Sequence, residues 1–199
     1  MIVRWLLERP LVYRLWQAPF VEQKLVPLRA HNDLGAIRRV LDVGCGPGTN
    51  TRQFAKMEYV GLDINEHYVE FAKKKFGRDF VAVDVTKYTP PPGAPFDFIF
   101  LNSFLHHVND EDTRRILAAL TNILPPDGHV HILELVLPER PSIARFLAKA
   151  DRGEFPRPLE KWREIFTEAF EPVVFEPYRL TLCGVTLWNM VYFKGRKRA

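Results

Sequence analysis

A chain of 199 residues with 47% hydrophobic content can bury one core and is short for two, so one globular domain is expected. Its two cysteines, Cys45 and Cys183, give no disulfide framework, which excludes a small stapled secreted module and fits a reducing, cytoplasmic setting. The formal charge of +4 equals the charge carried by Lys194, Arg196, Lys197 and Arg198, so no basic stripe outside that tail speaks for a nucleic-acid binder.

Residues 1–37 are rich in aromatics, with Trp5, Tyr13, Trp16 and Phe20, and Pro10 and Pro19 suit helix starts. They predict two or three short helices forming an N-terminal helical cap. The cap serves either as a lid whose Tyr13 and Trp16 help enclose a substrate or as plain packing on a sheet. Arg4, Arg9 and Arg14 beside Trp and Leu also make membrane-surface contact thinkable. No apolar run reaches the length of a membrane span, and Arg4, Glu8 and Arg9 interrupt any cleavable leader pattern.

The stretch Val40-Leu41-Asp42-Val43-Gly44-Cys45-Gly46-Pro47-Gly48 reads as a buried strand ending in a glycine turn, followed by a helix over Asn50 to Lys56. Backbone N–H groups and a helix start would there face a polar ligand. A dinucleotide fingerprint needs G-x-G-x-x-G; this loop has glycines at alternate positions and an acid, Asp42, two residues ahead. That spacing argues against NAD. A second strand ends at Asp63, nineteen residues beyond Gly44, where a carboxylate can bind both hydroxyls of a ribose, and Asn65 caps the next helix.

A third strand, Phe80 to Thr86, carries Asp84 near its end. The proline-rich Thr89 to Pro95 replaces a full crossover helix, and a fourth strand, Phe96 to Leu101, delivers Asn102 to Val108. In an open α/β sheet this segment borders the ligand crevice. His106 and His107 are candidate general bases because imidazole titrates near neutrality; a packing or loop-orienting role is the alternative. Asn109 caps a helix to about Leu124, and strand five, His129 to Val136, carries Glu134, which either orients an acceptor amine or hydroxyl or is an ordinary hydrogen-bonded acid. Residues 137–172 read as a helical substrate-side segment with helices at Ser142 to Ala150 and Pro158 to Ala169, and Arg152 between them is a candidate for a substrate carboxylate or phosphate. Two last strands, Val173 to Leu182 and Val185 to Phe193, turn at Cys183-Gly184.

Taken together, the glycine loop, Asp63, Asp84 and the Asn102 segment resemble the class I methyltransferases that use S-adenosylmethionine (SAM), in their small-molecule, ubiquinone-biosynthesis-like branch. The resemblance covers about residues 36 to 195. It implies a Rossmann-like seven-stranded sheet of order 3-2-1-4-5-7-6, strand 7 antiparallel, with helices on both faces, the methyltransferase domain occupying residues 38–199. It also implies cofactor contacts from Asp42, Gly44, Cys45, Gly46, Gly48 and Asn102, with Asp63 on the ribose, Ile64 and Val85 on the adenine, and Asp84 on its amino group.

The expected activity is methyl transfer from SAM to a small-molecule acceptor by in-line displacement, releasing S-adenosylhomocysteine, with no metal. The alternatives are an RNA or protein methyltransferase and a non-catalytic SAM-binding subunit. Against a nucleotide acceptor, Asn102 is followed by Ser-Phe-Leu where some DNA and RNA amino-methyltransferases have prolines and an aromatic. Whether the chain is a monomer or a homodimer is not legible.

Overall fold

The computed structural model describes residues 20–198 except Ala94 and Arg152. Its centre is a seven-stranded sheet of order β3-β2-β1-β4-β5-β7-β6. The strands are β1 (Arg39–Val43), β2 (Glu58–Asp63), β3 (Asp79–Ala82), β4 (Phe98–Asn102), β5 (His129–Val136), β6 (Glu171–Leu182) and β7 (Val185–Arg196). The pairings from β3 through β5 are parallel, and β7 runs antiparallel to both β5 and β6. The fold class, the order and the antiparallel last strand are as the sequence led us to expect.

Every residue of β1 is buried, as expected of a central parallel strand covered on both faces. The two-residue period sorts its side chains. Leu41 and Val43 join Ile99 and Leu101 of β4 against one set of helices, and Val40 joins Phe98 and Phe100 on the other face. The first face packs on Ile116, Leu117 and Leu120 of α4 (Asp110–Ile123) and on Trp162, Ile165 and Phe166 of α6 (Leu159–Ala169). The second face receives Leu28 of α2 (Val26–Ala30) and Val69 and Ala72 of α3 (Glu66–Phe76). Burial of a side chain such as Phe166 contributes about 2 kcal/mol, so the apolar stripe of α6 suffices to fix that helix on the sheet.

Helix starts follow their caps. Asn65 accepts from the Tyr68 N–H, Asn109 from Asp112 and Ser142 from Arg145, the last opening α5 (Ile143–Ala150). A short helix, α1 (Val21–Lys24), precedes α2, and of the N-terminal cap only residues 20–37 are described. Among the described residues, no helix is long and apolar enough to cross a membrane.

Two local expectations are corrected. The helix expected over Asn50 to Lys56 is a single 3-10 turn, Thr51–Phe54. β2 already begins at Glu58, and Phe54 must bury against Phe98 and Phe100, which leaves no length for a second turn. Strand β3 ends at Ala82, because Asp84 turns the chain by accepting from both the backbone N–H and the hydroxyl of Thr86.

Candidate functional site

A cleft of about 310 Å³ opens beyond the carboxyl ends of β1, β2 and β4. That is where strand order reverses in an open α/β sheet. Gly44, Asp63, Ile64, Asp84 and Val85 of the expected site all line it, together with Phe104. Asp42, Cys45, Gly46, Gly48 and Asn102 lie around or beneath the loop instead of forming the cleft wall.

The glycine loop is tightly enclosed. Gly44 has φ +70°, and a Cβ there would stand 2.5 Å from the Phe104 ring. At Gly48, φ is +80° and a Cβ would meet the Phe76 ring at 2.5 Å. Larger residues at either place would be strained by both backbone and neighbour. The Gly46 N–H donates to Asp63 Oδ2 at 2.8 Å and the Asn65 N–H to Oδ1 at 2.9 Å, so loop and β2 end hold each other. Each Asp63 oxygen keeps a second lone pair for a ligand. Beside it, Ile64 stands 76% exposed, an apolar side chain on the wall of a polar-edged cleft. Asp84 keeps its carboxyl below the ordinary range because the Thr86 amide and hydroxyl donate to it.

Beneath the loop, Asp42 is wholly buried. It accepts from Tyr59 Oη at 2.7 Å and, at 3.4 Å, from Asn50 Nδ2. Burial pushes its carboxyl up to about 7, against the pull of those hydrogen bonds. A chain of donors converges on it: Lys24 Nζ donates to Ser103, Ser103 to Asn102, Asn102 to Asn50, and Asn50 to Asp42. Cys45 turns its side chain into the core, 2.9 Å from where a Gly61 Cβ would be, and burial raises its thiol pKa.

The segment after β4 is held from below. Ser103 adopts φ +53°, an uncommon conformation for a non-glycine residue. Glu134, fully buried, accepts the N–H groups of Phe104 and Leu105 at 2.7 and 2.6 Å on Oε1, and meets His106 Nδ1 at 2.7 Å on Oε2. On the other side of the ring, His106 Nε2 lies 3.1 Å from Asp151 Oδ2. Burial alone would lower the imidazole pKa; the two carboxylates outweigh it and raise it to about 9. His106 therefore stands as an imidazolium at neutral pH, both N–H groups donated. Glu134 and Asp151 are correspondingly held below the ordinary carboxylate range, the cost of burial being outweighed by His106.

This arrangement leaves His106 without a nitrogen to take a proton and Glu134 without an oxygen to orient an acceptor. His107 is exposed, its ring 4.3 Å from that of His106. His106, His107 and Asp151 bring one ligand atom each within 4.8 Å, a spacing a metal ion can use. With His106 charged, its Nε2 hydrogen goes to Asp151, and a metal ion there would have to displace that proton. Tyr13, Trp16 and Arg152 lie outside the described residues.

Arg157 is the residue the sequence reading passed over. Only 5% exposed, it donates to the carbonyls of Leu105 and Val108, pairs with Asp110 at 2.6 Å and lies over the Trp162 ring. It clamps the same segment that Glu134 holds. Gly153 packs so closely on His106 that a Cβ would come 2.1 Å from the ring. The one signal available was composition: polar residues between two helices, with no indication of which would turn inward.

The comparisons with known proteins agree with this geometry. Residues 40–128 match a family model described as a methyltransferase domain. A solved structure, the N-methyltransferase NodS from Bradyrhizobium japonicum in complex with S-adenosylhomocysteine, superposes with TM-score 0.73 over 99% of this chain and 97% of that one, at 18% identity. In fold the chain is similar to that methyltransferase, and the family match falls on the residues that build the cleft side of the sheet. Among curated relatives, the trans-aconitate 2-methyltransferase of Afipia carboxidovorans is 26% identical over 164 residues, 78% of this chain and 61% of that protein. That of Methylobacterium radiotolerans is 33% identical over 117 residues, 56% of this chain and 42% of that one. The chain thus spans less than two thirds of the length of these relatives.

Proposed function

We propose that the protein binds SAM in the 310 Å³ cleft and transfers its methyl group to a small-molecule acceptor. The observation that carries this reading is the joint placement of Gly44, Asp63, Ile64 and Asp84 on one cleft. The donor set fits the cofactor. Asp63 has lone pairs left for two ribose hydroxyls, the exposed Ile64 and the buried Val85 offer apolar surface to an adenine, and Asp84 is ionised to accept from its amino group. The tightly turned Gly44–Gly48 loop brings backbone within reach of the cofactor's methionine end.

When bound, SAM supplies an electrophilic methyl carbon, and displacement in line with its sulfur leaves S-adenosylhomocysteine. The protein's own part is position. Glu134, His106 and Arg157 fix the Asn102–His107 segment, which forms the wall between cleft and acceptor side, so that alignment supplies the rate enhancement. His106 acts as a positioning residue through its imidazolium, and His107 is the ring with solvent access on that segment. Asp42 acts on the loop through Asn50 and Tyr59. Residues 38–199 form the methyltransferase domain in this reading, residues 137–172 its substrate side.

The trans-aconitate methyltransferases among its relatives support a small acceptor over RNA or protein. Two free cysteines, one buried and one exposed, support a reducing, cytoplasmic setting. The testing experiment is S-adenosylhomocysteine release across a panel of small acids, amines and hydroxyl compounds. Release with at least one acceptor supports the reading. SAM binding with no release from any acceptor of the panel, together with methylation of RNA or a protein, would replace it.

A further inference from the structure

Lys24 stands outside the cleft, on α1, yet its side chain ends at the backbone that shapes the cleft. α1 is held against the last two strands by three contacts. Phe20, just ahead of it, is fully buried beside Leu180 and Trp188. Gln23 both donates to and accepts from the Thr181 backbone at 3.0 Å, and Tyr178 Oη donates to the Lys24 carbonyl at 3.0 Å. From this fixed base Lys24 Nζ donates to Ser103 Oγ at 3.1 Å.

Ser103 sits where a hold matters. Its φ of +53° is left-handed backbone, unfavourable for a residue with a Cβ, and its N–H donates to the Leu133 carbonyl at 2.8 Å. Its two chain neighbours both reach the glycine loop. The Phe104 ring fills the place of a Gly44 Cβ, and Asn102 Nδ2 donates to Asn50 Oδ1 at 2.9 Å. Asn50 in turn donates to Asp42. Asp42 stands two residues before Gly44 and Asn50 two after Gly48, so this pair closes the loop at its base.

The ends of this line set the direction of every bond in it. Burial pulls the Lys24 pKa down and the charges of Asp151 and Glu134 resist it; in its charged form the amine only donates. Ser103 Oγ, having accepted, passes its own hydrogen to Asn102 Oδ1 at 3.2 Å. That turns the Asn102 NH₂ toward Asn50, whose oxygen accepts it, and leaves the Asn50 NH₂ for the Asp42 carboxylate. Without Lys24 the Ser103 hydroxyl can rotate, and neither amide has its orientation imposed from that end.

We propose that Lys24 is a positioning residue for the cofactor: from the N-terminal cap it acts through Ser103 and Asn102 on Asn50, and so sets the glycine loop against the end of β4. This role rests on the SAM reading above. It makes cap docking and cofactor binding favour each other, since coupling between two sites is reciprocal.

The test is a double-variant cycle on the full chain, with SAM affinity measured by titration calorimetry for Lys24→Met, Ser103→Ala and the pair. Each single variant should weaken binding about fivefold. The pair should also stay near about fivefold, because Lys24 has nothing to act through once the hydroxyl is gone. A single variant that binds SAM as the wild type does, or a pair weakened about 25-fold, overturns the proposal. Ser103→Gly, which takes left-handed backbone without strain, replaces Ser103→Ala if that variant does not fold. A second readout needs no cofactor. The Asn50 side-chain amide, assigned in ¹H–¹⁵N spectra by its loss in Asn50→Ala, should shift in Lys24→Met, and an unmoved amide overturns the proposal. A wild type that binds no SAM sinks the cofactor reading, whereas a wild type that binds it with no loss in the variants sinks only this one.

Discussion

The Nδ1 of His106 lies 2.7 Å from Glu134 Oε2, and both side chains are closed off from solvent. A buried pair of this kind is strongly destabilising when one partner is removed, because the other is left charged and alone. Here the imidazole is raised to about 9 against 6.5 for the free side chain. The folded state consequently holds a proton that the unfolded state has released above pH 6.5. His106 contributes its full stabilisation below that pH and loses it as pH rises through about 9. Urea unfolding of the wild type should show a His106-dependent fall on the order of 3 kcal/mol across this window. His106→Gln should remove that fall, and a difference between wild type and variant that stays flat from pH 6 to pH 10 would contradict the pair.

Asp42 works in a lower window. Its carboxyl is raised to about 7 from 3.8, so the folded state again binds the extra proton, and the stabilisation it brings declines as pH rises from about 4 to 7. Asp42→Asn, which keeps a polar group toward Tyr59, should flatten stability over that range relative to wild type. Denaturant titrations at pH 4.5, 5.5 and 7 measure the difference directly.

Arg157 should be worth more to stability than its surface-residue composition suggests. Arg157→Met takes one of two donors from each of the Leu105 and Val108 carbonyls and leaves Asp110 with only the more distant Lys161 and Arg114, and a loss of about 2 kcal/mol is expected. Equilibrium unfolding reads that loss. A loss below about 1 kcal/mol would mean that the segment is held by Glu134 alone.

Gly44→Ala tests the fit between loop and cleft wall. The added methyl meets the Phe104 ring, and φ stays positive. SAM affinity should drop at least about tenfold, with part of it restored in Gly44→Ala/Phe104→Ala, where the ring is gone and only the backbone strain of about 1–2 kcal/mol remains. A double variant no better than the single one would place the whole effect in the backbone.

How much of this was legible in the sequence follows from the range of each interaction. The glycine loop, Asp63, Ile64 and Asp84 lie at strand ends, and a parallel sheet with fixed crossover handedness brings strand ends to one edge whatever the side chains do next. His106 was placed correctly on the segment after β4, but its role was not readable. Its two partners are Glu134 and Asp151, 28 and 45 residues away, and the pairing exists only once the 137–172 segment folds over β5. Arg157 and Lys24 were hidden for the same reason: one long basic side chain looks like another until burial is known. The helix expected over Asn50 to Lys56 fails on a shorter scale, because the few residues between the glycine loop and β2 leave room for one 3-10 turn.

The account stands or falls on Asp63. Titration calorimetry of SAM into the wild type and into Asp63→Ala, both checked for native circular dichroism, is its most direct measurement. Micromolar binding by the wild type, weakened about 100-fold in the variant through loss of two charge-assisted hydrogen bonds to the ribose, is the predicted result. Equal affinity in the two proteins, or no binding by the wild type, would contradict it.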